Sequence, residues 1–137
     1  MRLSAAWLSA LALALAFGQP DAAQAEGAAE VPLGLWRTGP DDLGVVLHVR
    51  TRRCGRALCG RVERAKNRRG HDTPSEAVGE KLLWELRPQA DGSFLGEFRD
   101  ARGAVYPLSR LEMAGKVLRL RACDAAQCRE HHWTRLR

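Results

Sequence analysis

GVVLHVRTRRCGRALCGRVERA, residues 44–65, carries an apolar/polar alternation on either side of the cysteine pair Cys54-x4-Cys59. Val45, Leu47 and Val49 alternate with Val46, His48 and Arg50, the period of a strand with one face buried. The stretch reads as two strands, over 44–52 and 60–65, with the cysteines bracketing the turn between them. The same spacing returns at Cys123-x4-Cys128, again between strand-like runs. Two stapled hairpins therefore stand near the two ends of the chain.

Outward from there, short alternating runs broken by Gly, Asp or Pro predict further strands over 34–38, 81–87, 93–100, 104–113, 117–123 and 129–136. Ala90-Asp91-Gly92, Ala101-Arg102-Gly103 and Ala114-Gly115-Lys116 supply tight connections. Only 66–80 is a long connection, with room for a short helical turn around 75–78. The fold class that follows is all-β: a single up-and-down antiparallel β-barrel of about eight strands. A sandwich would show similar alternation, but successive hairpins account for almost every connection. Leu82, Trp84 and Leu86 alternate with Leu83, Glu85 and Arg87, and Phe94, Phe98, Leu118 and Leu120 continue the drier face. Leu47, Trp84, Phe94, Phe98 and Leu120 are thus the candidate lining of any interior cavity.

The first residues follow export-signal grammar: Arg2, an apolar run over 3–17, and Ala23-Gln24-Ala25 as a small-x-small cleavage site. The run is shorter than the roughly 18 residues that span a bilayer. Cleavage after Ala25 leaves 112 residues, a flexible lead over 26–33 and one domain over 34–137. It removes Arg2 and Asp21 together, so the net charge stays at +6. An exported address, in the periplasm or beyond the cell, suits disulfides better than a four-thiolate metal site. In a meander the two cysteine pairs lie at opposite barrel ends, beyond the roughly 7 Å that a disulfide can bridge. The expected pairing is therefore local, Cys54 with Cys59 and Cys123 with Cys128.

No catalytic constellation stands out. Ser75, Ser93 and Ser109 lie outside any Gly-x-Ser-x-Gly elbow, and the acids Asp41, Asp42, Glu97 and Asp100 read as surface groups. His131 and His132, adjacent on a strand, face opposite ways and cannot share a metal. No cofactor is implied. Charge is the most distinctive feature: residues 50–69 hold nine Arg or Lys against Glu63 alone, a local +8, with Arg50, Arg52, Arg53, Arg56, Arg61 and Arg64 as candidate contacts to an anionic partner. A rival reading is plain composition, since arginine is used throughout in place of lysine. Nucleic acid is disfavoured as the partner by the exported address and by the lack of interleaved aromatics for base stacking.

Gly34-Leu35-Trp36, CGRALCGRV, LLWELRP, ACDAAQC and HWTR, in that order, resemble the bacterial family called domain of unknown function 2147. The likeness covers nearly all of the mature chain. It implies an exported small barrel of the calycin or lipocalin-like sort, with no established activity. The chain departs from the family in 67–80, which is shortened and basic at its start where the family is Asp/Asn-rich. Gly-x-Trp on the first strand also resembles the lipocalin signature, in which a late arginine stacks on the tryptophan and closes one barrel end. Arg135 is the counterpart here, with Trp133 on the same strand face. The functional expectation is a non-enzymatic exported binding protein, holding either a small apolar ligand inside the barrel or an anionic envelope component on the basic hairpin. A structural or protein-interaction module, or a hydrolase without a recognisable motif, is the alternative.

Overall fold

The structure is a computed structural model that describes residues 30–137. The expected export signal, its expected cleavage site and the start of the lead lie outside the described residues. Eight strands, β1 (Gly34–Arg37), β2 (Val46–Cys54), β3 (Ala57–Lys66), β4 (Lys81–Pro88), β5 (Phe94–Arg99), β6 (Val105–Ala114), β7 (Val117–Cys123) and β8 (Cys128–Arg135), pair in chain order. They close into an antiparallel up-and-down barrel. Both expected disulfides are present, Cys54 to Cys59 and Cys123 to Cys128.

The stapled hairpins are tighter than the alternation suggests. β2 and β3 run on through the cysteines, and the turn is Gly55-Arg56 alone, with Cys54 opposite Ala57 and Cys59 opposite Arg52. Gly55 has φ of 65°, as the first central residue of a two-residue hairpin of the II′ kind requires. The first disulfide therefore joins diagonal positions, whereas Cys123 and Cys128 stand directly opposite one another.

At the other end of the first hairpin, three connections share one device. Asp41-x-x-Gly44, Asn67-x-x-Gly70 and Asp100-x-x-Gly103 each close a turn from the Gly amide to the Asx carbonyl. In each, the Asx side-chain oxygen also accepts two amides further along, such as Leu43 and Val45 onto Asp41 Oδ1 at 2.9 Å. Asp124 does the same for Ala126 and Gln127. These Asx turns make the rim of one barrel end from short, self-satisfied loops.

Inside, Trp36, Val49, Leu58, Val62, Leu83, Leu86, Leu111, Leu118, Leu120 and Trp133 are buried. The interior is a packed core for most of its length. Gly96 admits Leu86: a Cβ there would lie 2.7 Å from Leu86 Cδ2 and 2.9 Å from its Cα.

β4 departs from simple alternation. The register slips against β3 on both sides of Leu83 and against β5 between Trp84 and Arg87, and Glu85 has a φ of 49°. These bulges turn Leu82, Leu83 and Leu86 inward and Trp84 outward, opposite Glu97. Trp84 is thus a correction to the expected cavity lining.

The lead is a second correction. Val31 and Pro32 are packed, not flexible: Pro32 is buried, and Val31 lies against the core, while Leu33 keeps an exposed side chain. Thr51 donates its hydroxyl to the Pro32 carbonyl, and Arg135 Nη1 donates to the Leu33 carbonyl at 3.0 Å. The lead therefore closes the barrel end that carries the β2–β3 turn.

Candidate functional site

With the lead packed over one end, two places bear on the two expected kinds of ligand, apolar and anionic. The first is the mouth at the opposite end, among the Asx-turn loops. It is a cavity of about 220 Å³ whose apolar walls include Leu47, Leu82, Phe98 and Trp133, with Ser75 and His131 as polar groups. Of the expected lining residues, Leu47 and Phe98 are here. Leu120 is level with His131 in the register but does not line the cavity, and Phe94 is near the other end, beside Arg53 and Arg56. Leu82, His131 and Trp133 were not assigned to the lining from the sequence, Trp133 being expected at the barrel closure instead, although the alternation on β8 places His131 and Trp133 on one face.

His131 sits 5.7 Å from the Phe98 ring. Its burial, and then the nearby Arg129 charge, hold its pKa below the ordinary 6.5, against an opposing pull from Asp100. His48 is lowered too, by burial first and then by Lys66, Arg37 and Arg64. A histidine whose folded pKa is depressed is protonated more readily in the unfolded chain. The stability present above pH 6.5 is therefore lost as the pH falls through the folded value. Thermal melts from neutral to mildly acidic pH should show a falling midpoint, and the double variant His48→Gln/His131→Gln should flatten that fall. An unchanged slope would mean that neither ring carries the effect.

The second place is a groove on the outer wall of β2, β3 and the start of β4, about 330 Å³ in volume, with Arg50, Arg52, Arg61 and Lys81 around Glu63 and the Cys54–Cys59 disulfide. Period-two geometry puts Arg50 and Arg52 on one outer face of β2, and antiparallel pairing brings Arg61 opposite Arg50. Arg50 is ion-paired with Glu63, and hydrogen bonding from Arg50 is the main reason that the Glu63 carboxyl is held below its usual pKa. Arg52 is 76 % exposed and only 4.0 Å from Glu63. Arg61 donates to the Gly79 carbonyl. Four cations against one acid give the groove a net +3.

The nine-cation run is thus divided by the fold. Arg53 and Arg56 sit across the hairpin in a separate cleft with Val31 and Phe94. Arg64 and Lys66 are both tied to Asp72, at 3.2 and 2.8 Å. Of the six candidate contacts, Arg50, Arg52 and Arg61 are brought together and Arg53, Arg56 and Arg64 are not. Lys81 is the residue missed; nothing in its local sequence links it to a hairpin twenty residues earlier.

The barrel-closing set is assembled in part. Trp36 and Arg135 are opposite one another across the β1–β8 seam, with the guanidinium carbon 4.3 Å from the indole centroid. Trp36 Nε1 donates to Thr51 Oγ1 at 3.2 Å. Trp133 packs instead toward Phe98, with ring centroids 6.2 Å apart.

The hydroxyls and acids weighed for catalysis have structural partners. Ser75 accepts the Ala77 amide, Ser93 bonds Asp91, and Ser109 donates to the Tyr106 carbonyl while accepting the Cys123 amide. Asp42 pairs with Arg102, and Glu97 with Arg99. Among the described residues no three His, Cys, Asp or Glu side chains are grouped to hold a metal. Comparison with family models, with curated proteins and with solved structures finds no match to this chain.

Proposed function

We propose that this chain is an exported, non-enzymatic binding protein related to the domain of unknown function 2147 family, and that its outer groove holds an anionic component of the cell envelope. The observation that carries this reading is the grouping of Arg50, Arg52, Arg61 and Lys81 around the single carboxylate of Glu63 in one concave site. Guanidinium forks match carboxylate and phosphate oxygens in pairs. The interior is less suited: its mouth cavity of about 220 Å³ falls below the 300 Å³ or so at which small-molecule pockets begin. Export is supported by the signal-like first residues and by the two disulfides.

Binding of this kind is electrostatic and exposed, so it is screened over about 8 Å at 0.15 M salt. The test is co-sedimentation with isolated envelope fragments at low and high salt. Arg52→Ser/Arg61→Ser should weaken low-salt retention roughly tenfold, about 1.4 kcal/mol. Arg53→Ser/Arg56→Ser, which removes as much charge outside the groove, should change it less than about twofold. Equal losses would make the attraction one of net charge alone, and salt-independent retention by both variants would remove the groove from consideration. Both variants alter exposed side chains and should melt with the wild type.

A further inference from the structure

Lys81 borders the groove and also a neighbouring aromatic ring. Its ammonium lies 4.4 Å from the centroid of Trp84, and the Arg99 guanidinium carbon is 4.0 Å from the same ring. Trp84 is partly exposed, whereas Trp36 and Trp133 are 0 % and 2 % exposed. It reaches the wall only because β4 is bulged on both sides of it and because Glu85 is held at positive φ. A non-glycine residue there is a strained arrangement of the kind that marks functional surfaces. Simple alternation would have buried this indole, so β4 is irregular in just the way that sets an aromatic face beside a basic groove.

We propose that the groove and Trp84 together form a site for an acidic saccharide, a sugar chain bearing carboxylate or phosphate groups, with the acid held by Arg52, Arg61 and Lys81 and a sugar ring laid on the indole. This rests on the groove reading above. Lys81 is the link between the halves, because it lines the groove and covers the ring. An exposed cation–π contact is weak, and a charge-assisted pair with an acid is stronger. An anion in the groove therefore draws the ammonium away and uncovers part of the indole, whose broad, rigid face suits the apolar C–H face of a sugar. The indole N–H is already satisfied by the Lys81 carbonyl at 2.8 Å, which fixes the ring on the wall.

The test compares three probes on the chain starting at residue 26: oligogalacturonate, which has sugar and acid; polyphosphate, which has acid alone; and malto-oligosaccharide, which has sugar alone. Binding is followed by tryptophan fluorescence for the wild type and by calorimetry for all variants. Trp84→Ala should weaken oligogalacturonate about tenfold and leave polyphosphate within about twofold. Trp84→Phe should restore most of the loss, and malto-oligosaccharide should bind far more weakly than either acid. Equal effects of Trp84→Ala on the two acidic probes, or no binding of oligogalacturonate, would overturn the saccharide site. Arg52→Ser/Arg61→Ser should weaken both acidic probes; if it spares both, the groove reading itself fails.

Discussion

Trp36→Ala should lower the unfolding free energy by about 3–5 kcal/mol, the range for deleting a fully buried aromatic. The position is expensive for a topological reason as well as for its area. β1 is four residues long and meets β8 through two residue pairs, Trp36 with Arg135 and Arg37 with Thr134, whereas β2 and β3 share nine. The seam that closes the barrel therefore has few paired residues, supplemented by backbone bonds of Leu35 with Leu136 and Arg137, and the indole is buried at it. Arg135→Ala should cost less, because the guanidinium is partly solvated, yet it removes the stack on Trp36 and the donor to the Leu33 carbonyl. The two losses should be coupled by about 0.5–2 kcal/mol in a double-mutant cycle read by urea unfolding. Strictly additive losses would mean that the stack contributes nothing beyond each residue's own packing.

That pair was legible in the sequence because Gly34-x-Trp36 and the late Arg135 resemble the lipocalin signature, and each is a short local signal once the strands are placed. The eight strands themselves were equally legible, since alternation and turn residues are properties of neighbouring positions. β4 was not, and the reason is the same one in reverse. Leu82-Leu83-Trp84-Glu85-Leu86 alternates with Trp84 inside and Glu85 outside, and the strands on either side override that alternation. Gly96 on β5 leaves space that Leu86 fills, and Leu83 faces Gly60 of β3 and Phe98 of β5. Setting both leucines inside takes the bulges that send Trp84 out. The basic run fails as a single patch for a related reason. Its charge sum is a property of the chain, but strand faces divide it, and Asp72 returns on the long connection to engage Arg64 and Lys66. The packed lead was hidden too, because Val31, Pro32 and Leu33 look like any short linker until Thr51 and Arg135 supply partners for their carbonyls.

Phe98→Ala carries the other large effect, and it bears on whether the barrel is a container. Phe98 is 4 % exposed and stands at the floor of the mouth, with the Tyr106, His131 and Trp133 rings all within 6.2 Å of it, centre to centre. Truncation should cost about 3–5 kcal/mol through lost transfer energy and the cavity left behind. Neighbours on three strands, β4, β6 and β8, hold the walls, so collapse should be incomplete and the mouth of about 220 Å³ should deepen. Benzene or xenon enters dry apolar cavities of about 150 Å³ in other proteins. Benzene should therefore raise the melting temperature of Phe98→Ala while leaving the wild type unmoved, because in the wild type the Phe98 ring, packed on Tyr106, His131 and Trp133, already fills the space that truncation opens. Equal stabilisation of both by benzene would mean that the native mouth already accepts an apolar guest. The small-ligand reading of the interior would then outrank the groove.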